Sequence, residues 1–186
     1  MSAVSLRSHA ATAVAVTLLS LVVAGCSGDE NEPPGPPPSS DAVTTLVESG
    51  LASLTAGDAP AAKVTFENVL DLDPDNLYAH YNLGVIAQQA GDAQTAATSY
   101  DAALAADPEY APALYNKAIL TETTDLDASV ELYRQAIEAD PELAAAYMRL
   151  GFALVHLGED EAGSELLEQG IRLDPEMVDV EAPSYE

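Results

Sequence analysis

The dipeptide Asp-Pro punctuates this chain at a nearly constant interval. Asp73-Pro74, Asp107-Pro108, Asp140-Pro141 and Asp174-Pro175 follow one another in steps of 34, 33 and 34 residues. Proline pushes the residue before it out of the helical region, so each pair marks the end of a helix. A second break recurs inside each interval, at Gly57-Asp58, Gly91-Asp92 and Gly158-Glu159, with Thr124-Asp125 in the shorter third interval. Glycine can stop one helix and an acidic residue can open the next. The spacing predicts a helix, a short turn and a second helix per unit. No such unit buries its own apolar face, so the units must stack into a solenoid.

The units also share wording. Tyr81-Asn82-Leu83-Gly84 returns as Tyr115-Asn116-Lys117-Ala118 and as Met148-Arg149-Leu150-Gly151. The pattern resembles the tetratricopeptide repeat. Unit two carries the family's preferred residues at Leu83, Gly84, Ala96, Tyr100, Ala103 and Pro108. Unit one matches at Gly50, Ala62, Phe66 and Pro74, and unit three at Leu114, Tyr133, Ala136 and Pro141. Unit four matches at Tyr147, Leu150, Gly151 and Pro175, but places Gly163 and Gly170 where alanines are usual. Those two glycines are expected to weaken its second helix by about 0.5–1 kcal/mol each. His80 replaces a large apolar residue, so unit two is expected to pack less tightly. The resemblance implies an all-α fold, a right-handed superhelical α-solenoid of about four units at 43–76, 77–110, 111–143 and 144–177, with a short tail over 178–186.

In that family ligands lie in the groove made by the first helices. Carried over by register, unit one presents Thr44, Val47, Glu48 and Leu51, and unit two Tyr78, Tyr81, Asn82, Val85 and Gln89. Unit three presents Tyr115, Asn116, Ile119 and Glu122, and unit four Met148, Arg149, Phe152 and His156. Asn82, Asn116 and Arg149 share one slot. Amides in a row can hydrogen-bond an extended peptide, and Arg149 can take a carboxylate. Tyr81, Tyr115 and Phe152 can hold apolar side chains. The carboxylate clamp of some relatives is not expected, because Tyr81, Ala145 and Val85 occupy three of its positions. The array ends without a full solvating helix, so Leu166, Leu167 and Ile171 on its last helix are expected to be uncovered. That face could dock the tail, a second copy or a partner.

The front of the chain reads as an address. Ala10–Val23 is an uncharged, mostly apolar run behind Arg7, too short to span a bilayer comfortably. It leads into Val23-Ala24-Gly25-Cys26, which resembles the bacterial lipobox. The resemblance implies removal of residues 1–25 and acylation of Cys26, with an ordinary cleaved signal or a signal anchor as alternatives. Two or three acyl chains anchor stably where one does not. Cys26 is the only cysteine, so no internal disulfide is possible. Over residues 26–41 the run Pro33-Pro34-Gly35-Pro36-Pro37-Pro38 forbids helix and favours an extended leash, of roughly 45 Å at about 3.1 Å per residue.

The charge balance, 6 Lys and Arg against 31 Asp and Glu, excludes nucleic acid as a partner. Such acidity suits a high-salt habitat, though composition alone does not decide that. No Ser-His-Asp set, His-Glu-x-x-His or Gly-rich phosphate loop occurs. Asp71–Asn76 imitates a calcium loop but lacks its glycine and its closing acid. No enzyme activity, metal or cofactor is expected. The expectation is a protein-binding scaffold held outside the cytoplasmic membrane, at its outer face or in a periplasm, by acylated Cys26. A pilotin-like or outer-membrane-assembly lipoprotein and a chaperone-like holder of secreted proteins are the alternatives.

Overall fold

The computed structural model describes residues 40–185. The apolar run, Cys26 and the proline-rich segment up to residue 39 lie outside them. Eight α-helices occur among the described residues: α1 (Ser40–Thr55), α2 (Ala59–Leu72), α3 (Leu77–Gln89), α4 (Ala93–Ala106), α5 (Ala111–Thr121), α6 (Leu126–Ala139), α7 (Ala144–His156) and α8 (Asp160–Leu173). A 3-10 turn, Pro175–Asp179, follows. Helix α1 begins at Ser40, so the last residues of the expected leash are helical.

The predicted punctuation has the predicted causes. Gly57, Gly91 and Gly158 take φ values of 78°, 77° and 84°, a region that side chains with a Cβ rarely adopt. Asp58, Asp92 and Asp125 then cap the second helices by accepting from the backbone of Ala61, Thr95 and Ala128. The third turn manages without a left-handed residue: Asp125 N–H donates to the Thr121 carbonyl at 2.8 Å. Each Asp before a proline leaves the helix while its own N–H still closes the last turn, as Asp107 does to Ala103 at 3.0 Å. His80 finds a hydrogen-bond partner. Its Nε2 lies 2.8 Å from the Pro74 carbonyl and closes the turn between the first two hairpins.

Each helix packs chiefly on the helices before and after it in the chain, which makes an α-solenoid. Phe66, Tyr100 and Tyr133, at equivalent places on α2, α4 and α6, are fully buried. Burying each contributes about 1.5–3 kcal/mol. Gly84 makes room for one of them, since a Cβ there would fall 2.5 Å from the Tyr100 ring.

Two expectations are corrected here. Gly163 and Gly170 do not simply weaken α8. A Cβ on Gly163 would lie 2.7 Å from the Gly151 carbonyl oxygen, and one on Gly170 would lie 2.8 Å from the Met148 sulfur. The glycines let α8 approach α7 closely. Leu166 and Leu167 are likewise no bare face. Leu166 packs into the core between the third and fourth hairpins, and Leu167 packs against Gly151. Ile171 is half-buried, and the 3-10 turn lies against α8.

Candidate functional site

The first helices carry two neighbouring clusters. The first joins the second and third hairpins. Tyr81 stands edge-on to Tyr110, with centroids 5.2 Å apart, and lies 6.0 Å from Tyr100. Tyr78 meets the same Tyr110 edge-on at 6.3 Å and is 52% exposed. Asn116 Nδ2 donates to the Tyr81 hydroxyl at 3.1 Å, across the boundary between units. Burial raises the Tyr81 phenol above its usual range, partly offset by that bond. Burial, then Tyr81, Tyr78 and Asp107, pushes Tyr110 up to about 12. The Tyr81 and Tyr110 phenols therefore keep their protons at ordinary pH. Tyr81, Val85, Gln88, Gln89, Tyr100 and Asn116 line a depression of about 490 Å³ here.

The second cluster joins the third and fourth hairpins around Glu122. Its side chain is only 7% exposed although it sits at the end of α5. A carboxylate there faces the negative end of the helix dipole. Two donors hold it: the Tyr133 hydroxyl on Oε1 and Arg149 Nη1, at 3.0 Å, on Oε2. Burial opposes the Arg149 charge, but Glu122, then Tyr133 and Tyr115, hold its pKa above the ordinary value. Burial, followed by Glu122, raises the Tyr133 phenol.

The two clusters share a design that register alone did not reveal. The Tyr100 hydroxyl donates to Gln88 Oε1 at 2.7 Å, as Tyr133 does to Glu122 one unit later. In the first and fourth hairpins the equivalent pairs are Phe66 with Leu54 and Leu167 with Val155, so the polar layer is confined to the middle. The sequence signal was present, a Tyr on each middle second helix facing a Gln or Glu at the end of the first.

The expected row of three free polar side chains does not form. Asn82 is 7% exposed, and its Nδ2 donates to the Tyr78 carbonyl of its own helix at 2.7 Å. Asn116 and Arg149 each bind the preceding unit. Met148 is also withdrawn: it is 4% exposed beneath Gly170. Residues that pack between helices cannot read a ligand, so Asn82 and Met148 leave the site. Tyr115 and Ile119 are half-buried against the core of the third and fourth hairpins, and Phe152 is half-buried on α7. Thr44, Glu48 and Leu51 are exposed, and Val47 packs on the first core. Val85 and the exposed Gln89 remain available at the first cluster. His156 is exposed at the second.

Among the described residues no group of His, Cys, Asp and Glu is placed to hold a metal, and no helix is long and apolar enough to cross a membrane.

These features define a class: a stacked helical-hairpin solenoid. Family models described as "Tetratricopeptide repeat" match residues 47–120 and 120–181. The chain belongs to the tetratricopeptide-repeat family. Solved structures agree on the fold. It is similar to MamA from Desulfovibrio magneticus, at 25% identity and TM-score 0.60, over 74% of this chain and 78% of that one. It is also similar to pilF of Pseudomonas aeruginosa, at 25% identity and TM-score 0.65, over 73% of this chain and 62% of that one. YrrB, described as a protein with an unusual peptide-binding site, aligns at 21% identity and TM-score 0.58, over 74% and 71%. A comparison with curated protein sequences gave no match.

Proposed function

We propose that this chain is a noncatalytic scaffold, tethered by acylated Cys26 outside the cytoplasmic membrane, that recruits a partner protein in the assembly of an envelope or secreted complex. The observation that carries the reading is the depression at Tyr81, Val85, Gln89 and Asn116, where aromatic faces, an aliphatic side chain and amides meet at a junction of two hairpins. That mixture suits an extended protein segment: rings and Val85 take apolar side chains while Gln89 meets backbone groups. A leash between anchor and groove would hold the groove near the membrane at high effective concentration.

The pilotin-like role is the second reading. The Val23-Ala24-Gly25-Cys26 motif behind an apolar run favours it.

The test is a crosslinked pull-down from native membranes, comparing the parent with Val85→Asp/Gln89→Asp after checking that helicity is unchanged. A partner held saturably by the parent and lost by the variant supports the scaffold. Equal capture by both sinks the groove assignment. Many weakly held proteins would favour a holder of secreted chains. Release of Cys26→Ala from the membrane supports the lipid anchor, and its retention without processing points to a signal anchor instead.

A further inference from the structure

After the 3-10 turn the tail runs back to the first-helix side and inserts Tyr185. The ring packs on the core formed by Ala118, Leu150 and Leu154, and lies 4.9 Å from the ring of His156. Its hydroxyl is buried and has no hydrogen-bond partner among the described residues. Glu122 accepts from Tyr133 on one oxygen and from Arg149 on the other, and the Tyr185 hydroxyl donates to neither. A buried hydroxyl that no protein group accepts from is destabilising. The tail also brings Asp179 and Glu181 to a chain of formal charge −25, so like charges oppose its seating. The aromatic ring is seated on the core, while its hydroxyl is unpaired and the segment that carries it is acidic.

We propose that the cleft between α5, α6 and α7 is a binding subsite for one aromatic side chain of an extended, basic partner segment, and that Tyr185 fills it in the free protein as a displaceable stand-in. The inference rests on the reading of this face as a protein-binding groove. Few residues separate Tyr185 from α8, so the tail competes at high local concentration. It sets a threshold: a partner must bring an aromatic ring together with something the tail lacks. Lysine or arginine beside the ring supplies it, by replacing like-charge repulsion with attraction.

The test uses the full chain in neutral detergent. Nitration by tetranitromethane, which attacks the phenolate, is followed residue by residue by peptide mapping. Tyr185 is expected to react at least roughly tenfold more slowly than exposed Tyr78, equivalent to about one unit in effective pKa. Equal rates would show the tail unseated and overturn the proposal. A labelled peptide, Val-Lys-Ala-Pro-Ser-Tyr-Lys, is then titrated by anisotropy against the parent, Tyr185→Ala and Tyr185→Phe. Tyr185→Ala is expected to bind it roughly tenfold more tightly than the parent, as removal of an intramolecular competitor requires. Tyr185→Phe keeps the ring without the orphaned hydroxyl, so it should bind more weakly than the parent. The same peptide with alanine for tyrosine should not bind. Equal affinity across the three chains, or binding kept by the alanine peptide, sinks the idea. Protection of Tyr185 with no peptide binding to Tyr185→Ala would make the tail a fixed part of the fold. That result defeats this proposal but leaves the groove reading to the pull-down.

Discussion

Arg149 on α7 reaches back to Glu122 at the end of α5 and donates Nη1 to Oε2 at 3.0 Å, joining the fourth hairpin to the third. The Tyr133 hydroxyl on α6 takes the other oxygen, so three helices meet on one carboxylate. Removing Arg149 leaves that carboxylate buried and half-compensated. Arg149→Ala should therefore cost about 2–4 kcal/mol. Glu122→Gln keeps an acceptor for Tyr133, as Gln88 already provides for Tyr100, and should cost only about 1 kcal/mol. Denaturant midpoints would check both, with the exposed Arg134→Ala as the reference expected to change little.

Gly163→Ala sets helix propensity against packing. Propensity alone favours alanine by about 0.5–1 kcal/mol. The new Cβ would meet backbone, 2.7 Å from the Gly151 oxygen and 2.9 Å from the Val155 nitrogen, and backbone cannot step aside as a side chain can. The variant should lose about 1–3 kcal/mol. A higher melting temperature than the parent's would show that the close approach of α7 and α8 is wrong.

The buried tyrosines give a direction for alkaline pH. Burial raises Tyr81, Tyr100, Tyr110 and Tyr133 in the folded chain above the value of 10.0 that they regain on unfolding. Below pH 10 both states keep the phenol protons and stability is undiminished. Above it the unfolded chain loses protons that the folded chain holds, so stability falls as pH rises, through about 12 for Tyr110. Circular dichroism should show unfolding that sets in above pH 10 and coincides with phenolate absorbance. Smooth ionisation of all eight tyrosines near pH 10 with helix content retained would contradict it.

The shared Asn/Asn/Arg slot should split by readout. Asn82→Ala should cost about 1 kcal/mol of stability and leave partner binding unchanged, since its amide bonds its own helix. Asn116→Ala frees the Tyr81 hydroxyl at the rim of the depression and should alter binding as well. Matched thermal melts and binding titrations would separate the two, and a binding defect in Asn82→Ala alone would reverse the assignment.

The periodic sequence determined the solenoid by itself. Asp73-Pro74 and its three echoes, the mid-unit glycines and the small residues at Gly84, Ala96 and Ala103 act locally, through φ, caps and Cβ volume, so they can be read without knowing what lies across the helix. What register could not say is where each polar side chain sends its hydrogen bond. Asn82, Asn116 and Arg149 occupy one slot, yet one turns to its own helix and two cross to the unit before. Each bond goes to whatever acceptor the neighbouring hairpin offers: a tyrosine hydroxyl for Asn116 and a carboxylate for Arg149. Gly163 likewise reads as a weak point along the helix and as a necessity across it. The seat of Tyr185 was the least legible, because no local pattern links the last residues to a cleft built from three helices. Only stacking brings those helices together.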